Sequence, residues 1–399
     1  MVTIVGGTYS EFCFDPYWNE LYGSGLRGAA AISGLTDVTL YTYISKDQKR
    51  ALEIIANAFG IKLFTSANTV TGSFIYQQPL AQPIIEADKR SAVTSPLNVT
   101  ADVIMRYGML EGDAITTSEY AVYDPQDPIS PKRFAENGST ARHLAIIANS
   151  TEAKKLTGAT DIEQAGRVLL GEKDTEVVIV KQGPLGAAVL TKENKEHVCA
   201  YETERVWPIG SGDVFSAVFA YFWGAKKLQP LEAARIASLA TALYCGSKTL
   251  PVPHDIDTRP ELPRVKVNPS RLQTASVYLA GPFFNMGARW LVEQAREALR
   301  QQPVAVFSPF HDVGLGLAET VVPADIEALE RCAAVLALLD HFDPGTVFEV
   351  GWARKRNVPV VVFVQNEREE NLKMLTGTGC EVVDDFASAV YRVTWRAIA

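Results

Sequence analysis

The sequence predicts an α/β protein made of two successive units. Short β-branched strands alternate with helix-like stretches through residues 277–364, and the same alternation runs less regularly through the first 250 residues. Between them, residues 247–276 hold five prolines among polar residues with no period of 2 or 3.6. The expected division is therefore residues 1–250, a linker at 251–275, and residues 276–399.

The first unit opens on the strand-like MVTIV. Further strands are expected at AITTSEYAVYD (114–124), LAIIAN (144–149) and EVVIVKQG (176–183). VFSAVFAYFWGA (214–225) and PLEAARIASLATALYCG (230–246) read as buried helices, and a polar β-rich region around residues 62–95 looks inserted. In the second unit VYLAG (277–281), VAVFSP (304–309), AAVLALLD (333–340) and VPVVVFV (358–364) are short, apolar and rich in β-branched residues, as strands covered on both faces should be. ARWLVEQAREALRQ, ADIEALERC and TVFEVGWARKRN supply helices between them. That order predicts a parallel sheet in three layers, with ligands beyond the strand C-termini.

With 47% hydrophobic and 21% charged residues, the 399-residue chain has enough apolar material for two or three cores. A net charge of −8 argues against nucleic acid as a partner, because phosphate backbones need clustered Lys and Arg. Cys13, Cys199, Cys245, Cys332 and Cys380 form no C-x-x-C pair, which reads as reduced thiols in a cytoplasmic protein. No signal-type segment opens the sequence, and its apolar runs fall short of the ~20 residues that span a bilayer, so no membrane partner is expected.

Two stretches carry chemistry. In DPGTVFEVG (343–351), Asp340 and Asp343 stand at a strand's C-terminal lip, Thr346 can cap the following helix, and Glu349 projects about one turn in. A carboxylate near a helix N-terminus beside other acids suits attack on a glycosidic carbon. The same residues also suit a plain cap with a solvated Glu349. In VWPIGSGDVFSAVFAYFW (206–223), Gly210 and Gly212 let N–H groups converge around Ser211 as a phosphate nest. Asp213 is then placed to take a hydroxyl proton; an ordinary Gly turn with an Asp cap is the other reading.

YLAGPFF (278–284), SPFHDVG (308–314), DIEAL (325–329) and DPGTVFEVGWA (343–353) together resemble the nucleoside 2-deoxyribosyltransferase family over 277–399. The resemblance implies a flavodoxin-like parallel-sheet domain with Glu349 as nucleophile, oriented by Tyr278. Asp343 would bind sugar hydroxyls and Asp325 would manage the proton of the base. Gly281 would allow close backbone approach, and Phe283 or Phe284 would stack on a base or serve as core. His311 would contact substrate or be a satisfied loop histidine.

The opening GG of IVGGTY, GSGLRGAAA (23–31), NSTE (149–152), EVVIVKQGPLGAAVL (176–190) and GSGD resemble, in that order, the ribokinase-like (PfkB) sugar and nucleoside kinases over residues 1–250. This implies a three-layer α/β/α domain with a small β lid formed by the inserted region. Asp213 would be catalytic base, and Gly210, Ser211 and Gly212 the anion hole. Lys181, Gly183 and Gly186 would border ATP, with Asn149 and Glu152 organising Mg2+ and phosphates, Glu152 indirectly as metal partner. Gly7 would line the substrate site. Trp207, Pro208 and Ile209 replace the family's D-T-x, and Gly28 falls at its usual Asn, beside Arg27. Arg27 would receive an anionic group or form a surface salt bridge.

The two resemblances share nucleosides and nucleotides as substrate class, and both imply a homo-oligomer. They lead to a bifunctional enzyme that phosphorylates a nucleoside or pentose with Mg-ATP and breaks or transfers the base–sugar bond. The alternative keeps only the C-terminal enzyme active, with the kinase-like domain as nucleotide sensor or oligomerisation platform.

Overall fold

The structure, a computed structural model, describes residues 1–68, 72–86, 95–127 and 129–399. It divides into two units: Met1–Thr203 with Trp207–Arg264, and Glu204–Val206 with Val265–Ala399.

In the first unit, nine strands among the described residues form one sheet. In spatial order they are Lys195–Val198, Ala187–Thr191, Thr175–Lys181, Thr140–Asn149, Ala114–Asp124, Leu97–Tyr107, Val2–Val5, Val38–Ser45 and Lys62–Asn68. The first two pair antiparallel at one edge; from Thr175–Lys181 onward every neighbour is parallel. Strands such as VTIV are buried along their whole length because helices cover both faces. One apolar layer gathers the helices Gly23–Ile32, Ser211–Phe219 and Pro230–Ser247. Another gathers Ser150–Thr157 and Ile162–Leu170. The result is the expected three-layer α/β/α arrangement.

The inserted β region resolves differently from the expectation. Lys62–Asn68 is the edge strand of the main sheet, paired with Val38–Ser45. Ser73–Tyr76 and Ile84–Glu86 instead join Ser10–Cys13 and Trp18–Leu21 in a separate four-stranded lid. Hairpin residues right after the first strand thus supply half the lid, which the alternation SEFC and WNEL is too short to announce. Residues 69–71 and 87–94 of that region lie outside the described residues. Val252 and Ile256, in the proline-rich stretch, are buried in the first unit's core, and the Val252 N–H donates to the Ala31 carbonyl.

The second unit carries a sheet of five strands among the described residues, all parallel. Their spatial order is Ala305–Phe307, Ser276–Ala280, Ala334–Leu338, Val360–Phe363 and Glu381–Val383. Numbered by sequence this is 2-1-3-4-5, the flavodoxin-like order, whose direction of winding reverses between the first and third strands. The crevice at that reversal, outside the strand C-termini, is where such sheets take ligands. The last strand and the helices Glu369–Gly377 and Phe386–Ile398 complete the domain.

Candidate active site

In the second unit, the strand Ala334–Leu338 ends at the reversal point and the chain turns through His341 and Phe342, both at positive φ. Asp340 holds this turn: its Oδ1 accepts from the Gln365 and Asn366 N–H groups, each at 2.9 Å. Asp343 then caps the helix Pro344–Lys355, its Oδ2 accepting from the Thr346 N–H at 2.8 Å and hydroxyl at 2.9 Å. The capping reading of Asp343 and Thr346 is therefore right as far as it goes.

Glu349 is not the solvated residue that the same reading supposed. It is half-buried, and its Oε1 accepts from the Tyr278 hydroxyl at 2.6 Å. As the sixth residue of its helix it lies past the first turn, where the dipole's influence has largely faded. Burial instead dominates, raising its pKa to about 7; the Tyr278 hydrogen bond works against that rise, while Asp325 and Asp343 add to it. Tyr278 is fully buried on the first strand and stacks on Phe307, centroids 5.5 Å apart. Burial and the neighbouring Glu349 push its hydroxyl far above the normal range, so it stays a donor.

Asp325 follows Pro323, which interrupts the hydrogen-bond ladder of the helix Ala318–Arg331. Burial raises its pKa, and its Oδ1 is a buried oxygen with no hydrogen-bond partner. An unpartnered buried carboxylate oxygen in a cluster of acids is the mark of a group kept for another molecule. A cavity of about 410 Å³, within the range of small-molecule pockets, lies beside the cluster and is lined by Pro282, Phe284, Asn285, Leu338, Asp340 and Asp343.

Other predicted residues fall at varying distances from this chemistry. Gly281 packs closely against the core: a Cβ there would meet Leu338 and Val292 at 3.3 Å. Phe283 stacks on Phe310, centroids 5.1 Å apart, while Phe284 is 80% exposed at the cavity wall. Both His311 nitrogens are engaged within the fold, Nδ1 with Ser308 Oγ at 3.0 Å and Nε2 with Glu293 Oε1 at 2.7 Å. Asp340 was seen in sequence only as a lip residue; its clamp on residues 365–366 has no sequence signal.

In the first unit, Gly210 takes φ +75° and caps the helix Ser211–Phe219, as the G-S-G-D reading expects. The helix start is already satisfied in part: the Ser211 N–H donates to Pro208 O and the Asp213 N–H to Gly210 O, both at 3.1 Å. Asp213 is buried, and both carboxylate oxygens are engaged. Arg27 Nη1 donates to Oδ2 at 3.0 Å and Gln126 Nε2 to Oδ1 at 2.6 Å. Arg27 itself is 1% exposed and forms a two-pronged pair with Glu11 on the lid. It is a buried ion pair, neither a surface one nor a free anion receptor. Gln126 was missed, because nothing in its sequence neighbourhood distinguishes it from a loop glutamine.

Lys181 pairs with Asp124 Oδ2 at 2.5 Å, and a Cβ on Gly212 would lie 3.1 Å from its ammonium. Asn149 and Glu152 form a reciprocal capping box, each side chain accepting from the other's N–H at 2.9 Å. Burial, then Asp124, raises the Glu152 pKa to about 7. Gly183 and Gly186, at φ +56° and +101°, shape the turn after the Lys181 strand. The Gly7 carbonyl accepts from the Gly25 N–H at 2.9 Å.

Among the described residues, no three His, Cys, Asp or Glu side chains are grouped to hold a metal ion. Asp213, Lys181 and Glu152 each make hydrogen bonds within the fold, and Asp124 Oδ1, on the carboxylate that pairs with Lys181, is a buried oxygen with no hydrogen-bond partner. No helix among the described residues is long and apolar enough to cross a membrane.

Residues 277–386 match the family model for nucleoside 2-deoxyribosyltransferase, and residues 126–253 that of the pfkB family carbohydrate kinases. The chain is a fusion of a ribokinase-like (PfkB) domain and a nucleoside 2-deoxyribosyltransferase-like domain. The solved ribokinase from Giardia lamblia is similar at 14% identity and a TM-score of 0.51, covering 64% of this chain and 98% of that one. A nucleoside kinase from Methanocaldococcus jannaschii is similar at 16% identity and a TM-score of 0.49, covering 64% and 96%. The ribokinase from Thermotoga maritima is similar at 16% identity and a TM-score of 0.46, covering 64% and 97%. The Giardia likeness supports the ribokinase-like fold of this PfkB domain.

Proposed function

We propose that the deoxyribosyltransferase-like domain breaks or transfers the N-glycosidic bond of a nucleoside or nucleotide, with Glu349 as nucleophile. The observation that carries the reading is the Tyr278–Glu349 hydrogen bond within a cluster of three carboxylates at the sheet's reversal point. An Oε of ionised Glu349 attacks the anomeric carbon as the carbon–nitrogen bond breaks. The electron pair leaves with the base, whose nitrogen takes up a proton from Asp325, the acid with the unpartnered oxygen. A second base or water, giving a proton back to Asp325, then attacks the glycosyl ester and frees Glu349. Asp343, fixed by its cap, holds sugar hydroxyls.

For the PfkB domain we favour a nucleotide-binding sensor or oligomerisation platform, without phosphoryl transfer, over the bifunctional enzyme. Asp213 supports this reading: Arg27 Nη1 stands at its Oδ2 and Gln126 Nε2 at its Oδ1, so an acceptor hydroxyl would have to share the carboxylate with both.

The test is incubation of the full chain, then of Glu349→Gln, with mixed nucleosides and nucleotides, with and without Mg-ATP, followed by product mass analysis. Free or exchanged base from the parent chain and none from the variant is the expected result. Equal base release from both defeats the nucleophile assignment.

A further inference from the structure

We infer that Arg27 is the resident occupant of the place beside Asp213 where an acceptor hydroxyl would stand, and that with Glu11 it latches the lid over that place. The inference rests on the reading of the PfkB domain as non-transferring and explains how its own residues enforce it. Arg27 and Asp213 come from different helices, Gly23–Ile32 and Ser211–Phe219, and Glu11 from the lid strand Ser10–Cys13. One guanidinium thus ties lid, body and would-be base together.

Three observations separate a plug from an ordinary structural ion pair. First, Arg27 presses on the backbone of the turn: a Cβ on Gly210 would run into its Nε and Cδ. Gly210 also holds φ +75°, so glycine there serves both the turn and the space taken by the guanidinium. Second, the Arg27 Nε–H is buried and has no partner. That donor is left over from the pairs with Glu11 and Asp213. Third, the side chain remains charged: burial opposes the charge, but Glu11, Tyr244 and Asp213 outweigh it. Tyr22 lies over the guanidinium at 5.0 Å, closing another side.

Removing the guanidinium would leave Glu11 and Asp213 facing the vacated space, with Gln126 on the other Asp213 oxygen. Two carboxylates and an amide suit a neutral polyhydroxylated ligand such as a pentose or nucleoside, whose hydroxyls donate to the acids. The parent chain closes that space with its own side chain.

The experiment uses the full chain. In Glu11→Gln, hydrogen exchange in Ser10–Cys13 and Ser73–Tyr76 is expected to accelerate at least about tenfold, with Val38–Ser45 unchanged. In the double variant Arg27→Ala, Glu11→Gln, one acid is neutralised so that the charge is not left doubly unpaired. It is expected to bind ribose or adenosine at least about tenfold more tightly than the parent in calorimetric titration. Unchanged lid exchange, or acceleration spread evenly through the domain, overturns the latch. A folded double variant with no gain in binding overturns the plug; if that variant does not fold, the same titration of Arg27→Met, Glu11→Gln, which keeps more of the buried volume, decides. ADP formed by the parent chain only when pentose or nucleoside is added would instead defeat the non-transferring reading.

Discussion

The Tyr278 hydroxyl and Glu349 Oε1 are 2.6 Å apart, one from the first strand of the flavodoxin-like sheet and the other from the helix after the third. This bond bridges the sheet's reversal point and is what keeps a half-buried carboxylate ionisable near neutral pH. Tyr278→Phe removes the donor that lowers the Glu349 pKa, so that pKa should climb above its value of about 7. Because only the ionised form attacks, activity rises with pH through this pKa. The acid limb of the rate profile should therefore move up by about one pH unit, the worth of one hydrogen bond to a charge. Near pH 6 the variant should lose about tenfold more than it loses at pH 9. An unshifted limb would mean that the bond does not tune Glu349.

Stability should carry the same signature with a definite sign. Glu349 has a raised folded pKa, about 7 against 4.5 unperturbed, so the folded state holds its proton more tightly. Its contribution is fully present below pH 4.5 and is lost as pH rises through 7. Glu349→Gln should thus stabilise the chain at pH 8 by up to about 3 kcal/mol, at about 1.4 kcal/mol per pH unit, and so raise its thermal midpoint there, while leaving the midpoint nearly unchanged at pH 4.5. Thermal denaturation across pH measures this.

Asp343 has two roles that one substitution can separate. Asn caps a helix about as well as Asp, whereas Ala loses about 1 kcal/mol. Asp343→Asn should therefore keep the thermal midpoint of the domain while base release falls about a hundredfold. Parallel losses of stability and activity would leave Asp343 as a cap alone.

In the PfkB domain, Lys181 is the counter-charge of Asp124, which is fully buried and also accepts from Ser216 Oγ at 2.8 Å. Lys181→Met leaves that carboxylate with one neutral partner. It should destabilise the domain by about 3–5 kcal/mol, read by denaturant unfolding. A loss under about 1 kcal/mol would mean that water or rearrangement relieves Asp124.

Much of the fold was legible because its signals are local. VYLAG, AAVLALLD and VPVVVFV are apolar along their length, and only strands covered on both faces read that way. The strand Glu381–Val383 was not legible: three residues between acids carry no period. In the site, D-P-G-T-x-x-E announced both the cap and the carboxylate, and Tyr278 followed from the resemblance. The raised Glu349 pKa was not legible, because burial depends on packing from distant strands. The closure of Asp213 was hidden for a similar reason: Glu11, Arg27, Gln126 and Asp213 are separated by up to some two hundred residues, and an Arg beside a Gly run reads in sequence as a surface charge.

The account turns on a covalent bond between sugar and Glu349. Peptide mass spectrometry of the full chain quenched during turnover with a slow 2-fluorinated nucleoside measures it directly. The predicted result is a glycosyl mass on the peptide containing Glu349, absent from Glu349→Gln. Turnover with no adduct on that peptide, or an adduct on another residue, would contradict the account.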